Sequence, residues 1–190
     1  GMTISELLSK KGELIMGKRL FQKYGVHFPL LIKFIDAAQD LSIQVHPNDE
    51  IAAPRHNCSG KTELWYMLES QDSSIIYSGF KTPTTLNEFK SHIENNTLTD
   101  VLACFSPKRG DIFYLPAGRV HSIGAGNLLL EIQQSSDITY RVYDYNRTDF
   151  NGKKRELHTE LALETIDYQV HDEYCIHTEP QLNCEVEINR

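Results

Sequence analysis

From residue 28 to residue 145 the chain runs in short stretches where apolar and polar positions alternate, each closed by proline, glycine or a polar turn. A period of two puts successive side chains on opposite faces of an extended backbone, so these stretches predict strands. Residues 30–37, almost continuously apolar behind Pro29, predict a strand buried on both faces. Residues 41–46 place Ser42, Gln44 and His46 on one face, and Pro47-Asn48-Asp49 closes the run as a turn before a polar loop at 57–60. Residues 62–68 alternate again, with Lys61, Glu63, Trp65 and Met67 opposite Thr62, Leu64, Tyr66 and Leu68. Residues 74–77 (closed by Gly79), 112–115, 128–133 and 139–145 read as further strands. In the segment GDIFYLPAGRVH, residues 110–121, proline and glycine stop a strand at Pro116-Ala117-Gly118 and His121 opens the next run.

Helical spacing interrupts this pattern in a few places. Residues 5–16 predict a short helix, or two turns broken at Gly12. Thr85-x-x-Glu88 is a capping box ahead of Phe89 and Ile93. Leu98, Val101, Leu102 and Phe105 keep helical spacing, so residues 85–105 read as two short helices inserted between strands. Residues 159–166 predict another helix, and 174–177 and 184–188 are strand-like. Many short strands with glycine and proline punctuation predict a mainly β fold, a barrel or sandwich.

Composition narrows the functional classes. The 190 residues suit one domain with an appendage, and 40% apolar with 24% charged residues is the balance of a soluble globular protein. A net charge of -7 argues against nucleic acid or a membrane surface as the main partner. No apolar run is long enough to span a bilayer or reads as a signal peptide. Gly1 ahead of Met2 reads as a remnant before a start methionine. Cys58, Cys104, Cys175 and Cys184 form no Cys-x-x-Cys pair, which fits free thiols in a reducing cytoplasm.

Four side chains can converge inside such a barrel. Gln44 and His46 point the same way from one strand, Glu63 comes from a second, and His121 follows the Pro-Ala-Gly turn. Two imidazoles, a carboxylate and an amide oxygen suit zinc or another borderline divalent metal, with a coordination position left open. Taken singly, each has an ordinary alternative: a histidine after a strand is usually a surface or satisfied core residue, and a glutamate in an alternating strand usually faces solvent. His27, His56, His92, His158, His171 and His177 lack a comparable context and read as surface or core residues. Lys61 alone reads as a solvated lysine at a strand end, and Arg141 as readily as the partner of Asp137 or Asp144 as a functional group. Glu131 lies in an apolar run, so its carboxylate is either paired or raised in pKa.

The spacing of Gly110, Pro116, Gly118 and His121 resembles the second conserved motif of the cupins, antiparallel jelly-roll barrels with a metal in the mouth. Where that motif carries asparagine, this chain has Ala125, with Asn127 two places on. Taken with the runs at 41–50 and 60–66, Ser122-Ile123-Gly124 and the run at 131–145, the chain resembles the type I mannose-6-phosphate isomerases, the short bacterial form above all.

That resemblance implies a cupin-like antiparallel β-barrel with short helical insertions. Its divisions are a helical segment at 1–27, a metal-binding barrel at 28–147 with the insertion at 85–105, and a C-terminal extension at 148–190. The extension would begin the second β-domain that the family carries after the helix near residue 166. The resemblance also implies one zinc per chain on Gln44, His46, Glu63 and His121, Arg141 as the catalytic arginine, and Glu131 as an acid/base carboxylate. Ser42 and Lys61 match positions near the substrate phosphate. The implied activity is a cytoplasmic isomerisation of mannose 6-phosphate and fructose 6-phosphate by proton transfer through an enediol. A phosphorylated hexose is the partner, no nucleic acid or membrane is expected, and an oligomer is compatible with the reading. The alternatives are a non-catalytic sugar-binding or regulatory cupin and an iron oxygenase. The second is disfavoured because Gln44-Val45-His46 stands where such sites carry His-x-His.

Overall fold

Two capping boxes start helices. Thr3 accepts from the Glu6 amide while the Glu6 carboxylate accepts from Thr3 N–H, opening α1 (Ile4–Met16). Thr85 and Glu88 do the same for a later helix. Within α1 the backbone leaves helical angles at Lys11, beside Gly12, as the break read at that glycine implies. A Cβ at Gly12 would meet the Phe21 ring at 2.0 Å, so the absent side chain lets α2 (Lys18–Tyr24) pack against α1. The computed structural model describes residues 1–148 and 150–179, and the strand-like run at 184–188 lies outside them.

The order continues with β1 (Leu30–Asp36), β2 (Ile43–Val45), α3 (Asp49–His56), β3 (Glu63–Ser70), β4 (Ile76–Phe80) and α4 (Leu86–Glu94). A 3-10 turn (Leu98–Asp100) leads to β5 (Leu102–Phe105), β6 (Asp111–Leu115), β7 (His121–Ile123), β8 (Asn127–Gln134) and β9 (Tyr140–Tyr143). α5 (Thr159–Thr165) and β10 (Ile176–His177) come last among the described residues. The fold is mainly β. Two five-stranded antiparallel sheets have the orders β1-β8-β3-β6-β10 and β5-β4-β7-β2-β9. One core fills the space between them, with Trp65, Met67, Phe113, Leu115 and Leu129 against Ile76 and Ile123. A second core lies on the other face of the second sheet, where Ile43, Val45, Tyr140 and Val142 meet Phe89 of α4 and Ala162 and Leu163 of α5. Among the described residues no helix is long and apolar enough to cross a membrane.

Four local readings change. β1 is not buried on both faces: it is a sheet edge, and Leu30, Ile32 and Phe34 face outward while Leu31, Lys33 and Ile35 face inward. The turn at residues 47–49 opens α3, because Asn48 accepts from the Ile51 amide as an N-cap. The second helix of the 85–105 insertion is only the 3-10 turn. Residues 102–105 are strand because Phe105 and Leu102 pair with Ile76 and Phe80 of β4, and apolar positions three apart fit either state until a partner strand decides. Gly79 does not close β4 but bulges within it at φ +71, where a Cβ would meet the Tyr174 ring at 2.3 Å.

Candidate metal centre

The register of the second sheet builds one row of side chains. Ser78 pairs with His121, His121 with Gln44, and Gln44 with Arg141. Residues directly opposite in neighbouring strands share a face, so the four side chains stand side by side. Ile43, Val45, Tyr140 and Val142 take the other face, under the helices. In the first sheet Glu131 stands between Lys33 and Trp65. Glu63 lies one step along, opposite Leu115 and Gln133.

The two faces meet at His46, Glu63 and His121. Their donor atoms lie within 4.8 Å of one another. His46 Nε2 is 3.4 Å from Glu63 Oε2, and His121 Nε2 is 3.2 Å from Glu63 Oε1. Each ring's other nitrogen meets a backbone carbonyl: His46 Nδ1 that of Ile138 at 2.9 Å, His121 Nδ1 that of Arg119 at 2.8 Å. A carbonyl only accepts, so both Nδ1 atoms carry the proton and both Nε2 lone pairs point inward, the tautomer a metal-binding histidine needs. Burial pushes His46 down to about 4, against the opposing pull of Glu63, so the imidazole is neutral at pH 7. Burial alone would raise Glu63, but the adjacent side chains of His121 and then His46 hold it well below the usual carboxylate range. A neutral imidazole beside an ionised carboxylate is the protonation state that binds metal.

The polar accounting agrees. His46 Nε2 and both Glu63 oxygens are fully buried with no hydrogen bond among the described residues, the ion pair of Glu63 Oε2 with Lys61 apart. Such groups cost free energy unless something satisfies them, and a divalent cation accepts all three at once. Gln44 Nε2 stands 3.4 Å from His121 Nε2, and an amide turned over presents its carbonyl oxygen there instead.

The remaining residues singled out in the sequence surround this point. Lys61 is buried, not solvated, with Nζ 3.1 Å from Glu63 Oε2. Gly60 sets it there: a Cβ at 60 would meet the Asn48 backbone at 2.4 Å, and Lys61 N–H donates to the Pro47 carbonyl at 2.9 Å. Ser42 Oγ is 3.4 Å from Gln44 Oε1. Glu131 is paired, accepting from Lys33 Nζ at 2.9 Å and from Trp65 Nε1 at 3.0 Å. Ser42, Gln44, Lys61, His121 and Glu131 line one cleft of about 130 Å³, together with Lys33. The sequence reading missed Lys33, although a lone lysine at an inward position of an apolar strand was the available signal. Arg141 has no carboxylate partner among the described residues: Nη1 donates to the Glu156 carbonyl at 2.8 Å, and Asp144 is held by Arg147 and Arg155. Asn127 is structural, fully buried with its amide donating to the carbonyls of Ile75 and Gly124.

Residues 1–100 match the family model described as phosphomannose isomerase type I, catalytic domain. Mannose-6-phosphate isomerase ManA of Bacillus subtilis is 45% identical over 182 residues, 94% of this chain and 56% of that protein. A mannose-6-phosphate isomerase of Streptococcus mutans is 37% identical over 166 residues, 87% of this chain and 51% of that protein. The crystal structure of the Bacillus subtilis mannose 6-phosphate isomerase superposes with a TM-score of 0.75 at 39% identity, over 85% of this chain and 52% of that one. The chain thus spans about half the length of the relatives it matches.

Proposed function

The chain belongs to the type I phosphomannose isomerases, and on that premise we propose that it interconverts mannose 6-phosphate and fructose 6-phosphate through an enediol. The observation that carries this is the convergence of the inward nitrogens of His46 and His121 on the Glu63 carboxylate, with Gln44, Lys61 and Glu131 lining the cleft beside them. His46, Glu63, His121 and Gln44 would hold one zinc, which when bound supplies a Lewis acid for the carbonyl and adjacent hydroxyl of the sugar.

The chain's own residues divide the rest. Isomerisation of an aldose to a ketose moves a proton between C1 and C2, which requires a group able to take it and return it. Glu131 serves there, its carboxylate fixed by Lys33 on one oxygen and Trp65 on the other. Lys33 thereby fixes where this carboxylate stands, and its ammonium supplies a counter-charge beside it. Lys61 pairs with Glu63 and, with Ser42, offers donors to the phosphate. Arg141, beside Gln44 in the row, stabilises the negative charge of the enediolate.

The test is a coupled isomerase assay on the zinc-loaded chain beside a chelator-treated sample. Turnover of mannose 6-phosphate that disappears with the metal is expected. A chain that binds zinc and the sugar phosphate without turnover would instead be the non-catalytic sugar-binding cupin.

A further inference from the structure

Beyond β9 the chain makes a tight excursion. Tyr145 and Asn146 both take left-handed backbone, at φ 54 and 55, and the chain doubles back through the pairing of Thr148 with Lys154. It then rejoins β9: His158 N–H donates to the Arg141 carbonyl at 2.8 Å, and Arg141 N–H donates to His158 Nδ1 at 3.2 Å. One residue of this return segment reaches the neighbour of Gln44 in the row, since the Glu156 carbonyl accepts from Arg141 Nη1 at 2.8 Å.

Apolar burial does not hold the segment in place. Phe150 is 96% exposed and Leu157 44%. Its anchor is Asp144, a buried carboxylate just past β9. Arg155 donates to it through Nε at 2.8 Å and through Nη2, a two-pronged fork, and Arg147 donates to it through Nη2 as well. Arg147 also ties back to the Asp40 carbonyl. Three guanidinium groups, those of Arg141, Arg147 and Arg155, thus gather around one carboxylate, and only two of them reach it.

We propose that Arg155 is a positioning residue: its fork on Asp144 fixes the return segment so that the Glu156 carbonyl holds the Arg141 guanidinium beside Gln44 of the cleft. Asp144 at the same time draws Arg147 and Arg155 onto itself, leaving Arg141 as the guanidinium open to an anionic group. Arg141 bears the marks of this arrangement. Its Nε is buried without a partner among the described residues. Burial, then the charge of Arg155, lower its hold on its proton against the opposing pull of Asp144. The planar fork matters because two parallel hydrogen bonds fix direction as well as distance, which a single ammonium does not. Only the kinetic part of the proposal rests on the isomerase reading.

The experiment compares wild type with Arg155→Gln, both zinc-loaded, by two measurements. The first is ¹⁵N NMR of the Arg141 guanidinium. Hindered rotation is expected in the wild type and rotation at least about tenfold faster in Arg155→Gln, since a lost outer partner loosens the group it orients. The second is steady-state kinetics: kcat is expected to fall about tenfold with KM and bound zinc unchanged, and to fall no further when the substitution is added to Arg141→Ala. Unchanged guanidinium rotation, or an equal loss of kcat with and without Arg141, overturns the proposal. A freed guanidinium in a protein whose wild type does not turn over mannose 6-phosphate sinks the isomerase reading and leaves the positioning role standing. Should Arg155→Gln not fold, Arg155→Lys, which keeps the charge and loses the planar fork, carries the same two measurements.

Discussion

Leu30, Ile32 and Phe34 on β1 are 43%, 55% and 75% exposed, whereas His46, Glu63 and His121 are 2%, 1% and 1% exposed. A row of apolar side chains faces water, and a cluster of polar ones faces none. The difference comes from position in the sheets. β1 is an edge among the described residues, so its outer side chains have a neighbouring strand on one side, β8, where Ile132 and Leu130 continue the row from Ile32 and Phe34. The three polar residues come from the interior of both sheets and point into the space between them. An exposed apolar side chain forgoes a gain of ~1.5–3 kcal/mol, while a buried, unsatisfied polar atom adds a penalty of ~1–3 kcal/mol. A fold carries the first easily. It carries several of the second in one place only where a ligand satisfies them.

Glu63→Ala tests the costly side of that contrast hardest. It removes the carboxylate that both imidazoles and the Lys61 ammonium face, and strands that ammonium in the interior. We expect loss of bound zinc, loss of turnover, and a stability decrease of about 3–5 kcal/mol, the range for breaking a buried ion pair from one side. Metal analysis and urea unfolding on one sample check it. A variant that keeps its stability would mean the cluster is not a strained metal site.

Acid probes the same cluster without mutation. His46 is depressed to about 4 in the folded protein from an ordinary value near 6.5. Below pH 6.5 the unfolded chain therefore takes up a proton that the folded one refuses, and metal-free stability falls as pH drops from 6.5 toward 4. Glu63, also depressed, acts with the same sign at lower pH. The His46 contribution reaches at most ~3 kcal/mol. Urea midpoints between pH 7 and pH 4 measure it, and bound zinc should shift the fall to lower pH. Stability flat over this window contradicts the neutral, buried state of His46.

Beside Gln44, Arg141→Ala should keep the fold and the zinc while kcat falls on the order of 10²-fold, the scale of losing one donor to an oxyanion. A rise in KM with kcat unchanged would move Arg141 from transition-state stabilisation to ground-state binding of the phosphate. The smallest effect is expected on β1. Phe34→Thr should change stability by less than about 0.5 kcal/mol and leave turnover as it was, as for a surface site. Thermal unfolding measures it, and a large loss would show that something covers this face in solution.

The sequence by itself carried whatever depends on near neighbours. Period-two runs located β2, β3, β6, β8 and β9 because alternation is a property of the extended backbone. The capping boxes at Thr3 and Thr85 and the Pro116–Gly118 turn are likewise set by residues within a few positions of one another. Gln44 and His46 shared a face for the same reason. What depends on distant neighbours was decided only by the tertiary structure. Residues 102–105 became a strand because β4 was there to pair with them, and Leu30–Asp36 became an exposed edge because, among the described residues, no strand lies outside it. Lys33 met Glu131 across ninety-eight positions of chain through the β1–β8 register, and Glu156 came to hold Arg141 through the fork of Arg155 on Asp144. Hydropathy records what a side chain would gain from burial. Sheet order and register decide whether the burial is available, and they set which charges share a cavity.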